Sequence, residues 1–177
     1  MIASLVLSAA LIGTPNINVH NWETSNAWPS SNVTSMQSSV LVTPEPSAQA
    51  SFGWIGVFAD NILFQVGWQQ LGGGSVQPFE TVIGTDGTVY SWNTFPQTLH
   101  VGDYLGVRIS YSAATNNWSV WYKPNNTWIF AGQSPMPFKP GSEEFQVSTE
   151  VWGGAPIPLV SQNTSTPVPA PVLMYVQ

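Results

Sequence analysis

The chain has 177 residues, of which 43% are apolar and only 7% charged, a length and composition that suit one domain with a sizeable core. Its net charge of −6, with Arg108, Lys123 and Lys139 as the only cations, leaves no basic stripe for phosphates and excludes nucleic-acid binding. Cysteine is absent, which excludes a disulfide scaffold, a thiolate metal centre and a thiol nucleophile.

The segment 1–13 is apolar but too short to span a bilayer, and no Lys or Arg precedes it as in a signal peptide. In extended form Leu5, Leu7, Ala9 and Leu11 share one side, the pattern of a donor strand. Residues 14–20 read as a linker, and residues 21–177 as a single β-sandwich domain. His20 and His100 lie far apart without metal-ligand spacing, so no metal and no cofactor is expected.

From there short β-prone runs alternate with turn signals, and no stretch holds a helical period over three turns. Strands are predicted near 36–43, 51–58, 61–68, 79–83, 88–92, 104–112, 118–123, 127–131, 145–152 and 171–176. Gly72-Gly73-Gly74, Thr85-Asp86-Gly87, Thr115-Asn116-Asn117, Pro124-Asn125-Asn126 and Lys139-Pro140-Gly141 supply the turns between them. Leu105, Val107, Ile109 and Tyr111 alternate with Tyr104, Gly106, Arg108 and Ser110, and Trp118, Val120 and Tyr122 alternate with Ser119, Trp121 and Lys123. Residues 153–171 are too rich in proline for a central strand and read as a connection or an edge. The fold class expected is an all-β, antiparallel sandwich of concanavalin or jelly-roll type, with the N-terminal extension as an added strand.

Acceptor sequons for N-linked glycans stand at Asn32, Asn117, Asn125 and Asn163, which on a secreted-looking chain predicts glycosylation. Neutral polar residues replace charged ones as the source of solvation, and they keep their hydration in acid. Both features suit an extracellular or cell-surface protein, including one of an acidophile.

Gly53-Trp54-Ile55-Gly56-Val57, Ile62-Leu63-Phe64-Gln65-Val66-Gly67, Tyr90-Ser91-Trp92, Val101-Gly102-Asp103 and Thr149-Glu150-Val151-Trp152 form an ordered series, opened by Asn21-Trp22. This series resembles the glutamic peptidase (eqolisin) family over residues 21–152. The resemblance implies a catalytic pair at Gln65 and Glu150. Glu150 would be general base toward a water, and the Gln65 amide would hold the oxyanion. The chain departs from the family where Ala59 and Ser91 replace acidic residues, and only residues 151–177 follow Glu150. A strand that completes the sandwich is therefore expected to be lacking on the C-terminal side, with residues 1–13 supplying it.

The organisation of an apolar tail, a neutral polar head and several sequons is similar to that of archaeal threads, glycosylated pilus-like filaments joined by donor-strand complementation. Three readings follow. The first is a structural subunit of an extracellular, glycosylated filament, whose partners are copies of itself and N-linked glycans and which has no transmembrane helix. The second is a secreted acid-acting glutamic peptidase using Gln65 and Glu150. The third is a carbohydrate-binding module using Trp118, Trp121 or Trp128. If neither Gln65 nor Glu150 is catalytic, both are ordinary polar residues on exposed strand faces.

Overall fold

The structure, a computed structural model, describes residues 20–27, 35–134, 144–153, 157, 159 and 161–165, with the backbone alone for 20–27, 134 and 161–165. The donor-strand positions Leu5, Leu7, Ala9 and Leu11, the sequon at Asn32 and the predicted strand 171–176 lie outside the described residues. Among the described residues eleven strands run in chain order: β1 (His20–Ala27), β2 (Ser35–Leu41), β3 (Ala50–Ala59), β4 (Ile62–Leu71), β5 (Gln77–Gly84), β6 (Val89–Thr94), β7 (Tyr104–Ser112), β8 (Asn117–Lys123), β9 (Ile129–Ser134), β10 (Glu144–Trp152) and β11 (Ser161–Ser165). They form a six-stranded sheet in the order β1-β10-β3-β4-β5-β6 and a five-stranded sheet in the order β11-β2-β7-β8-β9. Every pairing is antiparallel, and the two sheets pack as a sandwich.

Period-2 alternation builds the core between the sheets. Ile55 and Val57 of β3, Phe64, Val66 and Trp68 of β4, and Phe145, Val147 and Val151 of β10 face Met36, Val40, Leu105, Val107, Ile109, Trp118, Val120 and Tyr122 of the other sheet. Tight turns fix the registers. Asp60 and Asn61 take φ of 48° and 63°, the paired left-handed conformation of a two-residue hairpin, and set β3 against β4. Asn116 and Asn126 do the same work at the β7–β8 and β8–β9 turns with φ of 55° and 60°.

Two glycines permit close approach at the centre of the six-stranded sheet. A Cβ on Gly53 would meet the Trp68 ring, at 2.6 Å from Cε2. On Gly67 it would strike the Gly53 carbonyl oxygen and lie 2.6 Å from the Trp54 Cα. Both strands are thereby pressed together beneath two indoles, and the Trp68 N–H reaches out to donate to the Leu41 carbonyl at 2.9 Å.

Two expectations change. Residues 20–27 form a strand that alternation does not announce, since HNWETSNA has almost no apolar period; it is held through its ladder to β10, from His20 opposite Trp152 to Ala27 opposite Phe145. The C-terminal side, expected to be short of a strand, supplies one among the described residues. β11, inside the proline-rich 153–171, forms an edge beside β2, and the strand order of each sheet is continuous.

Candidate functional site

Antiparallel sheets commonly leave one face to water. The six-stranded sheet does not, because the face turned away from the other sheet is also buried. Ala50, Phe52 and Trp54 of β3, Leu63 of β4, Phe79 and Ile83 of β5 and Trp152 of β10 form a second apolar cluster there, with Phe58, Val89 and Trp92 packed against it. Phe52, Phe79 and Trp92 make an aromatic triangle with ring centroids 5.6, 6.1 and 6.2 Å apart. Among the described residues no strand lies over this face.

The candidate pair sits on it. Gln65 and Glu150 are each only 2% exposed, which corrects the expectation of polar residues on exposed strand faces. Alternation along 145–152 assigns Glu150 to the face opposite Val147 and Val151, and that face is closed too.

Glu150 lies opposite Phe52, and Phe52 lies opposite Gln69. Gln65 lies opposite Gly56, four residues further along β3. With one strand between them, the two Cα atoms are roughly 16 Å apart by strand rise and spacing. The Gln65 amide also turns away from Glu150, its Oε1 accepting from the Thr81 hydroxyl of β5 at 3.0 Å. Gln69, the amide on Glu150's own row, accepts from the Trp92 indole N–H at 3.1 Å. The structure thus brings Gln65 and Glu150 to one face without bringing them to one water.

Burial pushes the Glu150 carboxyl up to about 7, and the Trp54 indole beside it offsets part of that cost. A carboxyl in that condition is protonated in acid and cannot accept a proton there. Gln65 Nε2 is buried without a hydrogen-bond acceptor among the described residues, an arrangement that costs about 1–3 kcal/mol. A second buried carboxyl, Glu80 of β5, lies on the core-side register, receives hydrogen bonds from Asn93 and Ser91 of β6, and is raised by desolvation.

Trp118 is fully buried in the core and cannot be a sugar platform, a correction to the third reading. Trp121 and Trp128 are partly exposed on the outer side of the five-stranded sheet. Asn117 opens β8 partly exposed, Asn125 stands in the exposed β8–β9 turn, and Asn163 lies in β11. His100 is exposed, 3.5 Å from Asp103. Among the described residues no three His, Cys, Asp or Glu side chains gather as metal ligands, and no helix is long and apolar enough to cross a membrane.

No protein-family model and no curated protein matches the chain. Solved structures do. Scytalido-glutamic peptidase with a transition-state analogue inhibitor is similar at a TM-score of 0.62 and 13% identity, over 89% of this chain and 86% of that one. The same peptidase with a peptide-based analogue gives 0.53 and 16%, over 72% of this chain, which spans 63% of that one. A laminarinase from Flavobacterium sp. UMI-01 gives 0.51 and 6%, over 76% and 68%. At these identities the likeness is one of fold: the chain is an antiparallel β-sandwich with the architecture of the glutamic peptidases.

Proposed function

We propose that the chain is a structural subunit of an extracellular, glycosylated assembly, joined to its neighbours by residues 1–13 laid against the outer face of the six-stranded sheet. The observation that carries this reading is the apolar cluster on that face. Phe52, Trp54, Phe79, Ile83 and Trp152 are buried there, yet no described element faces them. Side chains 1–6% exposed in the single chain are already covered there, and in an assembly that cover is an apolar segment exchanged between neighbouring subunits.

Residues 1–13 have the composition for it, with Leu5, Leu7, Ala9 and Leu11 on one side of an extended strand. They precede β1, whose His20 pairs with Trp152 of the cluster, so the segment starts from a point beside that face. Supplied by the next subunit, it makes a heterologous contact that repeats head to tail. Contact through a sheet face leaves the strand order of both sheets, as described, unchanged.

Deleting residues 1–13 tests the reading. The shortened chain should remain folded and monomeric, bind a hydrophobic dye, and lose both exposure and dye when a peptide of residues 1–13 is added. Unchanged assembly of the deletion variant would refute it.

The peptidase reading keeps two supports: the fold likeness and a carboxyl held in apolar surroundings. Against it stand the separation of Gln65 from Glu150 and the protonation of Glu150 at acid pH. It requires acid proteolysis that Glu150→Gln abolishes, and an inert protein on denatured substrate would end it.

A further inference from the structure

The ionic side chains of the described strands are segregated between the two sheets. Strands of the six-stranded sheet carry Glu23, Glu80, Glu144 and Glu150 and no Lys or Arg, whereas those of the five-stranded sheet carry Arg108 and Lys123 and no carboxylate. The chain has a net charge of −6, and among the described strands those of the five-stranded sheet carry the opposite sign.

Arg108, on central strand β7, lies opposite Trp121 of β8, which in turn lies opposite Phe130 of β9. The guanidinium carbon is 5.0 Å from the Trp121 ring centroid and 4.5 Å from that of Trp128, and Lys123 Nζ is 5.3 Å from Trp128. Phe130 meets Trp121 edge-on at 5.8 Å and is itself 55% exposed, a large apolar ring left in water. Two indoles so placed hold a guanidinium by cation–π attraction, and a guanidinium is the side chain suited to bidentate contact with a planar anion.

Nothing already described uses this arrangement. Among the described residues no carboxylate pairs with Arg108 or Lys123, and Arg108 Nε is buried without a partner. The outward neighbours are hydroxyl and amide side chains: Gln37 and Ser39 on β2, Ser110 on β7, Ser119 on β8 and Gln133 on β9. A peptide strand docks best on a free sheet edge, where its backbone finds partners. A flat face that combines hydroxyl hydrogen-bonding groups, an exposed ring and fixed cations suits a hydroxyl-rich ring that bears a carboxylate.

We infer that the outer face of the five-stranded sheet is a binding site for acidic saccharide, with Arg108 and Lys123 taking a uronate carboxylate and Phe130 the apolar face of the sugar. Trp121 and Trp128 act as positioning residues that orient Arg108. The site is independent of residues 1–13 and of the opposite sheet face, and it stands or falls apart from the assembly proposed above.

The test titrates the full chain with a galacturonic acid hexamer, a neutral cellohexaose and a poly-glutamate peptide, read by calorimetry and by tryptophan fluorescence. The uronate oligomer should bind at least about tenfold more tightly than either comparator, with affinity falling as salt rises. Arg108→Gln and Lys123→Gln should each weaken uronate binding about tenfold, as expected for loss of a charge-assisted hydrogen bond, with thermal unfolding unchanged for the Lys123 variant. Equal binding of cellohexaose would overturn the role of the cations. Equal binding of poly-glutamate would reduce the site to charge alone, and binding of none, or uronate binding that survives Lys123→Gln, would remove the site altogether.

Discussion

Glu150→Gln should change how stability depends on pH more than it changes the fold. The folded carboxyl is raised from 4.5 to about 7 by burial, whereas the unfolded carboxyl keeps its ordinary value. Between those two values the unfolded chain has released its proton and the folded chain has kept it, so the unfolded state binds fewer protons and stability falls as pH rises. Below 4.5 both forms are protonated and nothing is lost; above about 7 the full cost is present. A difference of that size corresponds to about 3 kcal/mol. Glutamine keeps the shape of the protonated carboxyl without the ability to ionise, so the variant should match the native chain in acid and exceed it at neutral pH. In a domain of this length the gain should raise the melting temperature by roughly 6–12 °C at neutral pH. Denaturant unfolding followed from about pH 4 to about pH 8 measures it. Glu80, also raised by desolvation, adds to the same slope, while Glu45 and Asp86, lowered by hydrogen bonds from Ser47 and Thr88, act in the opposite direction from the surface. A native chain equally stable at both ends of that range, or a variant with the native slope, would refute a closed, protonated Glu150.

Other substitutions separate packing from binding. Gly67→Ala places a methyl against the Gly53 carbonyl and the Trp54 backbone, and should cost about 3 kcal/mol or more in urea unfolding, since backbone cannot give way as a side chain can. Trp118→Ala, in the core against Tyr111 and Phe145, should cost about 3–5 kcal/mol, whereas Trp121→Ala on the outer face should cost less than half of that. Asn61→Val puts a β-branched residue at a φ of 63° and should destabilise by about 1–2 kcal/mol, with Asn61→Gly close to neutral. If glycans occupy the exposed β8–β9 turn, Asn125→Gln should remove one mass increment in intact-protein mass spectrometry of native material.

The strands that build the core were legible because Leu105, Val107 and Ile109, and Trp118, Val120 and Tyr122, alternate with polar neighbours, and because Asn116, Asn126 and the glycine clusters mark turns. What alternation supplies is two faces, and it does not say whether the second is covered. For that reason Phe52, Trp54 and Glu150 read equally well as exposed. β1 escaped notice because a strand held by its ladder to β10 needs no apolar period of its own. The spacing of Gln65 and Glu150 depends on how β10 slides along β3 and on the Asp60–Asn61 hairpin, neither of which is written in the motifs around the two residues. Arg108 and Trp128 are distant in sequence and meet only across β8, so the aromatic content pointed to a platform while hiding that Trp118 belongs to the core and Arg108 to the patch.

The account rests most on residues 1–13 joining one subunit to the next. Negative-stain microscopy of native material, set beside light-scattering masses of the full chain and of the chain lacking residues 1–13, tests this directly. Filaments or a ladder of oligomers from the full chain, reduced to monomers by the deletion, are the predicted result. A full chain that stays monomeric, or a deletion variant that assembles normally, would contradict it.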